Sequence, residues 1–190
     1  MRNTMFILLT LALAGCFSAS RPEAAQWTVE ISGDRSEPRW QAPKFGVCRL
    51  LQVSVRAPYD SKSVAVMRPD GSLAFDPYNR FSAAPSALLK GAALDALQSS
   101  GAFKAIVDSA SSVRCDTSLE LTATRIALDC REDGRCDALV ELSLSLIERR
   151  EFVRTVKSSG RAPAADGNYT KAFSKAFDSA LEDLTVRLSK

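Results

Sequence analysis

The chain contains five cysteines and no histidine. Catalysis by Ser-His-Asp or Cys-His groups, metal binding through imidazole and histidine-based pH switches are therefore excluded. The sequence also has no glycine-rich phosphate loop, nucleophile elbow or Cys-x-x-Cys pair. Serine and lysine are plentiful, so a Ser–Lys hydrolase remains the enzymatic alternative, although no motif locates its nucleophile. The sequence accordingly predicts a non-enzymatic protein with no catalytic residue, cofactor or metal site.

Cys16 follows a short, largely apolar segment at the start of the chain. The segment runs for ten residues from Met5 to Ala14, whereas a membrane-spanning helix needs about 20. A charged start, a short apolar middle and small residues before a cleavage point are typical of a secretory signal peptide. Leu13-Ala14-Gly15-Cys16 resembles the bacterial lipobox, in which the cysteine is acylated and the chain is cut before it. An ordinary signal peptide with an incidental cysteine is the alternative.

The lipobox divides the chain into three predicted parts. These are a lipoprotein signal peptide over 1–15, a lipidated tether over 16–44 and one α+β domain over 45–190. Acyl chains on Cys16 are expected to hold the protein at a membrane, since each buried CH₂ contributes about 0.8 kcal/mol. Phe17 stands where an aspartate would retain an enterobacterial lipoprotein at the inner membrane. We therefore expect a periplasm-facing lipoprotein of the bacterial envelope, at the outer membrane.

Four further cysteines remain in the exported chain, and an even number there predicts two disulfides. Cys130 and Cys136 bracket a short turn between two predicted strands, so their side chains are expected to meet. Cys48 begins the first predicted strand and Cys115 precedes the strand after the helix, and a helical crossover would make these two strands parallel neighbours. We expect a second bond between this pair, although Cys48 is out of phase with the predicted apolar face of its strand. A four-cysteine zinc site is the alternative, but the paired Cys-x₂-Cys spacing is missing.

Hydrophobic periodicity predicts the elements that position these residues. A strand over 47–55 has Val47, Leu51, Val53 and Val55 on its apolar face, and a short strand is expected within 26–31. The remaining predicted elements are a hairpin over 63–76, a helix from Pro85 to Gly101, a short apolar segment at 103–107, strands over 119–130, 138–146 and 151–159, and a final helix from Tyr169. The apolar phase shifts within the 119–130 strand, which predicts a β-bulge near Thr124 and Arg125.

This order of elements predicts an α+β two-layer sandwich, with a mixed or antiparallel sheet and two helices packed on one face. Removal of residues 1–15 leaves 175 residues with 24 basic and 22 acidic side chains, enough for one domain with a substantial core. A nucleic-acid-binding protein would carry a marked basic excess. We therefore expect no nucleic-acid partner.

Aromatic and arginine side chains gather between residues 55 and 97, and this combination is typical of protein interfaces. The candidate interface residues are Arg56, Tyr59, Tyr78, Asn79, Arg80 and Phe81. In the alternative interpretation, Phe75 and Phe81 belong to the core and Tyr78 caps a loop.

Two charged clusters each have two interpretations. The carboxylates Asp129, Glu132, Asp133 and Asp137 are expected to form a solvated turn, with a calcium site as the alternative. The basic residues Arg149, Arg150, Arg154 and Lys157 are expected to protect an exposed strand edge. Contact with anionic lipid headgroups is the alternative for these basic residues.

Residues 47–188 resemble the ABC-type transport auxiliary lipoprotein family, in particular its PqiC-like members. The resemblance is carried by Leu51-x-Val-x-Val-x-Ala-Pro-Tyr59, the hairpin ending in Phe75 and the aromatic-proline segment that leads into LLKGAALDAL. It continues through Phe103 to Val107, the late strand pair and the final helix. Many family members have tryptophan where this chain has Phe81, and four cysteines in the exported domain are not typical of the family.

The resemblance implies a non-enzymatic function in intermembrane lipid transport. Its members are thought to act with an ABC transporter, formed by a permease and an ATPase, and with an MCE-domain protein that carries lipid across the periplasm. The lipoprotein would dock or anchor this conduit at the outer membrane. A lipoprotein scaffold or assembly factor for another envelope complex is the alternative.

Overall fold

The structure is a computed structural model that describes residues 25–27, 42–165 and 169–188. The described residues form eight strands and two helices. The strands are β1 (Ala25–Trp27), β2 (Phe45–Val55), β3 (Ser63–Met67), β4 (Leu73–Phe81), β5 (Phe103–Asp108), β6 (Thr117–Cys130), β7 (Cys136–Glu148) and β8 (Glu151–Pro163). The helices are α1 (Pro85–Ser99) and α2 (Tyr169–Arg187). The predicted α+β class is confirmed.

Strand β6 is the centre of a single mixed sheet. Along one edge it pairs over its whole length with β7, which pairs with β8, and both pairings are antiparallel. Along its other edge, the first half of β6 pairs with β2 and the second half with β3, both parallel. The sheet therefore divides beside β6. Strand β5 lies outside β2, whereas β4 and β1 lie outside β3.

The break between β2 and β3 coincides with a bulge in β6. The last pair of β2 joins Val55 to Ala123, and the Arg56 N–H donates to the Ala123 carbonyl at 2.9 Å. The β6–β7 register then shifts between Ala123 and Arg125. This shift is the predicted β-bulge, and it keeps Leu121 and Ile126 on the same buried face although their sequence positions differ in parity.

The core lies between one face of the sheet and the two helices. Alternate residues of β6 and β7 face it, and the helices contribute an apolar stripe each. The largest fully buried side chains are Phe173, Phe177, Leu50, Leu89, Leu97, Leu119, Leu121, Ile126, Leu128, Leu142, Leu144 and Leu146. The opposite face of the sheet, which carries Thr122, Ser143 and Lys157 and is covered by neither α1 nor α2, is called the open face below.

Helix α2 approaches β8 closely because small residues meet there. A Cβ atom added to Gly160 would overlap the Ala176 carbonyl oxygen and would lie 2.5 Å from the Ala180 nitrogen. The helix also satisfies a strand donor, since the Ser159 N–H donates to Asp183 Oδ2 at 3.3 Å. The glycine therefore lets helix backbone rest directly on strand backbone.

Strand β2 differs from its sequence prediction. Cys48 and Leu50 face the core and are buried, whereas Leu51, predicted on the apolar face, is exposed. The β2–β6 register shifts between Leu50 and Gln52, so Leu51 is an extra residue in the strand. After this bulge Val53 and Val55 pack against the core as predicted. The bulge explains why Cys48 had the wrong phase in the sequence pattern.

Two strands extend well beyond their predicted ends. Strand β4 continues to Phe81 rather than ending near residue 76, and β8 continues to Pro163 rather than to residue 159. Strand β1 lies inside the predicted tether and pairs in parallel with residues 79–81 of β4.

The predicted signal peptide and Cys16 lie outside the described residues. Neither helix in the described ranges is long and apolar enough to cross a bilayer.

Candidate partner-binding surface

Strand β4 presents Arg80 on the open face and exposes Tyr78 two residues before it. Phe81 at the end of the strand is buried in the core, and neighbouring residues in a strand point to opposite faces. Arg80 pairs with Ser63 of β3 and is exposed. Tyr78 is 50% exposed and lies two residues before Arg80, in the part of β4 where the β3–β4 register shifts. An exposed aromatic ring and an exposed guanidinium group are therefore close neighbours in β4.

Asp76 holds the β4 backbone in the shape that exposes Tyr78. Its Oδ1 accepts the N–H groups of Tyr78 at 2.8 Å and of Asn79 at 3.0 Å. Its Oδ2 accepts the Asn79 side-chain amide at 2.7 Å. The β3–β4 register also shifts here, between the pairs formed by Ser63 and Ala65. Asn79 therefore has a structural role in this turn of the strand.

Arg56 lies on the same face, beside a shallow polar groove. The groove has a volume of about 480 Å³, and its lining includes Arg56, Arg125, Glu141, Ser143 and Lys157. Arg125 and Glu141 pair across β6 and β7 and form an ion pair at 3.5 Å. Neither Arg56 nor Lys157 forms an ion pair within the described part of the chain. The groove therefore has a basic surplus that a polar or acidic partner can use.

Of the six predicted interface residues, Phe81 is a core residue and Tyr59 is half-buried against the core. Phe81 is 3% exposed, and its ring meets Phe173 edge to face with centroids 5.2 Å apart. Tyr59 is half-buried and packs against the core. The alternative interpretation is thus right for Phe81 and wrong for Phe75, which is 43% exposed. Sequence alone did not separate these two phenylalanines because the face that each one presents depends on the register shift between β3 and β4 that lies between them.

Phe75 ends an apolar strip that the sequence analysis missed. It pairs with Ala65, and Ala127 pairs with Leu139. The parallel pairing of Val66 with Leu128 places Ala65 beside Ala127. Ala65, Ala127 and Leu139 are all buried although they face away from the helices. Their apolar character in strands with an otherwise polar second face was the available signal.

The carboxylates around the β6–β7 turn are held by arginines. Asp137 Oδ2 pairs with Arg131 at 2.6 Å and with Arg161 at 3.1 Å, and Arg161 also pairs with Asp129 at 2.7 Å. The pKa of Arg161 is raised, chiefly by its hydrogen bond to Asp129. No group of three metal-ligating side chains occurs among the described residues. The geometry therefore favours the predicted charged turn over the calcium alternative.

The cysteines form one of the two predicted bonds. Cys130 and Cys136 are directly opposite in the β6–β7 ladder and form a disulfide. Cys48 and Cys115 are free thiols, so the second prediction is wrong in this structure. The two strands are parallel neighbours as predicted, but the register places Cys48 opposite Thr117, two residues beyond Cys115. Burial raises the pKa of Cys48 to about 11.

The fold defines a class of single α+β domains with one helix-covered and one open sheet face. The sequence matches no protein-family model and no curated protein. Among solved structures, the chain is similar to a Xanthomonas campestris protein described under family DUF330. The TM-score is 0.67 at 20% identity, over 87% of this chain and 92% of that one.

Two further structures are less similar. An uncharacterised protein matches with a TM-score of 0.62 at 10% identity, over 88% of this chain and 99% of its own. A lipoprotein from Neisseria meningitidis overlaps with a TM-score of 0.36 at 12% identity, over 67% of this chain and 90% of that one. The Xanthomonas campestris protein and the uncharacterised protein share the fold of this chain. The overlap with the Neisseria meningitidis lipoprotein is too low to indicate a shared fold. Function must therefore be argued from the surface of this chain.

Proposed function

We propose that this protein is a non-enzymatic lipoprotein of the bacterial envelope that docks a periplasmic partner through the open face around Tyr78. The lipobox at Cys16 supports membrane anchoring, and the exported context suits the Cys130–Cys136 disulfide. The observation that carries the docking proposal is the placement of Tyr78, Arg80 and Arg56. All three side chains are exposed, and Tyr78 and Arg80 are close neighbours in β4, whereas Phe81 beside them is core.

The partner proposed is the MCE-domain protein of an ABC-type lipid transport system. This choice rests on the resemblance of residues 47–188 to the auxiliary lipoproteins, and the fold shared with the DUF330 structure is compatible with it. In this role the chain anchors the periplasmic end of the lipid conduit at the outer membrane, and the ABC permease and ATPase act at the other end. Docking requires rigid presentation of a few aromatic and arginine side chains.

Co-purification of the full lipidated chain with an MCE-domain protein from the same organism tests this function. Tyr78→Ala and Arg80→Ala are each expected to reduce MCE recovery at least tenfold, because both remove exposed side chains from the proposed contact. Lys175→Ala is the control, since it removes an exposed side chain from α2, on the opposite side of the sheet. Its MCE recovery is expected to equal that of the unmodified chain.

The alternative function is a scaffold for another envelope complex, and the same experiment distinguishes it. Recovery of a different envelope assembly, lost on Tyr78→Ala, would replace the lipid-transport assignment and leave the docking surface in place. Equal recovery of the MCE protein by all four chains would refute the docking surface. Mass spectrometry of the amino-terminal peptide tests the anchor separately, and an unacylated Cys16 would refute it.

A further inference from the structure

The hairpin end of the open face carries an exposed apolar row. The β7–β8 register pairs Ile147 with Phe152, and the β6–β7 register pairs Ile147 with Ser118. Leu51, the bulged residue of β2, lines a groove of about 520 Å³ together with Ser118 and Ile147. Phe152 is 66% exposed and Leu51 is 46% exposed. Val153, beside Phe152, is also largely exposed.

Two arginines form the tip of the β7–β8 hairpin beside this row. Arg149 and Arg150 have φ angles of 49° and 72°, a conformation that glycine and asparagine adopt at lower cost. The Arg149 N–H donates to the Asp116 carbonyl at 3.0 Å, which ties the tip to the start of β6. Both arginines line the same groove as Leu51 and Ile147. The name hairpin patch is used below for Leu51, Ile147, Arg149, Arg150 and Phe152.

The hairpin patch has a positive surplus. Its acidic neighbours are Asp116, Glu148 and Glu151. The arginines at this end are Arg49, Arg114, Arg149, Arg150 and Arg154. None of these arginines forms an ion pair within the described residues. Arg49 donates instead to the carbonyls of Ser111 at 2.7 Å and Val113 at 2.5 Å, and Arg154 donates to the Leu188 carbonyl at 3.0 Å. Their charge is therefore available to an anionic surface.

We propose that the hairpin patch rests on the anionic phospholipid surface of the membrane to which the chain is anchored. Large apolar side chains with adjacent arginines match the boundary between acyl chains and headgroups, where apolar groups enter the bilayer and guanidinium groups bind phosphate. The proposal adds a second membrane contact to the proposed lipid anchor and rests on it for orientation. Combined contacts hold a domain more firmly than an acyl anchor alone.

The anchor and the hairpin patch can reach the same bilayer. Ala25 of β1 is the ninth residue after Cys16, and nine residues of chain span at most about 30 Å. Ala25 lies beside Asn79, near the level of Ser63, and the strand registers place that level about eight residues from the hairpin end. Eight residues of strand correspond to ~26 Å. A tether of this length therefore permits the sheet to stand with its hairpin end on the membrane.

Fluorescence quenching in vesicles tests the contact. The mature lipidated chain carrying Trp27→Phe, Trp40→Phe and Phe152→Trp is reconstituted into vesicles of phosphatidylcholine with phosphatidylglycerol, and quenching by brominated phosphatidylcholine is measured. The matched control carries Phe75→Trp instead, an exposed aromatic at the far end of the open face. Quenching in the Phe152→Trp chain is expected to be at least threefold stronger than in the Phe75→Trp chain. Adding Arg149→Gln and Arg150→Gln is expected to halve it, as is omitting phosphatidylglycerol.

The outcomes separate the proposal from the lipid anchor. Equal, weak quenching at both positions in a chain that floats with the vesicles would overturn the hairpin contact and leave the anchor intact. A chain that does not float with the vesicles would overturn both. Protection of the fluorophore in the Phe152→Trp chain by the MCE protein but not by lipid would assign the hairpin patch to a protein partner and overturn the proposal. Far-ultraviolet circular dichroism confirms that each variant is folded.

Discussion

Gly160 has no Cβ atom, and this absence lets α2 pack closely on β8. Gly160→Ala is expected to lower the free energy of unfolding by about 3 kcal/mol, because the new Cβ would overlap helix backbone that cannot move independently. Gly91→Ala is the matched control, since Gly91 is exposed in α1 with no atom near its missing Cβ. This change is expected to raise stability by about 0.5–1 kcal/mol. Urea unfolding measures both, and similar values would contradict the close approach.

The free cysteines differ in environment at the same end of the sheet. Cys48 is fully buried with its pKa raised to about 11 by burial, so its thiol stays protonated at pH 8. Cys115 is only half-buried. We expect iodoacetamide at pH 8 to label Cys115 in the native protein and to label both after denaturation without reductant. Peptide mass spectrometry measures this, and protection of both thiols after denaturation would show that the Cys48–Cys115 bond exists.

At the scale of elements, an exposed ion pair joins α1 to β5. Lys90 Nζ lies 2.9 Å from Asp108 Oδ2. The pKa of Asp108 is lowered to about 2, first by its hydrogen bond from Lys90 and then by those from Ser109 and Ala110. A carboxyl with a lowered folded-state pKa stabilises the fold above the unfolded value, and this contribution is lost as the pH falls towards 2.

Lys90→Gln is therefore expected to raise the pKa of Asp108 towards its ordinary value of 3.8. The remaining bonds from Ser109 and Ala110 should keep it below that value. Carboxyl ¹³C NMR titration measures the shift. Asp70 is the internal control, because its pKa is lowered chiefly by hydrogen bonds from Ser72. A change at Asp70 equal to that at Asp108 would show a general effect of the substitution rather than loss of this pair.

Over the whole molecule, the contact of Phe81 with Phe173 links β4 to the C-terminal helix. Phe81→Ala is expected to lower the free energy of unfolding by about 3–5 kcal/mol, because it leaves a cavity where two distant parts of the chain meet. Phe75→Ala, which removes the same ring from the exposed face, is expected to cost less than about 1 kcal/mol. Urea unfolding at pH 7 compares them, and equal losses would contradict the placement of Phe81 in the core.

The sequence by itself determined the features that depend on local periodicity. The clean alternation of β7, the phase shift that marks the bulge in β6 and the helical stripe of α2 all follow from residues close together in the chain. The Cys130–Cys136 bond follows for the same reason, since a short hairpin leaves its ends opposite each other. These patterns were sufficient for the α+β class and for both helices on one face.

Only the tertiary structure decided which residues of similar type are core and which are surface. Phe75 and Phe81 differ because the end of β4 turns Phe81 towards α2, and Cys48 is separated from Cys115 by the register of β2 on β6. The hairpin patch likewise forms because Leu51, a bulged residue of β2, lines one groove with Ile147 of β7, which pairs with Phe152 of β8. Pairing between strands far apart in sequence fixes these positions, and no local pattern encodes that register.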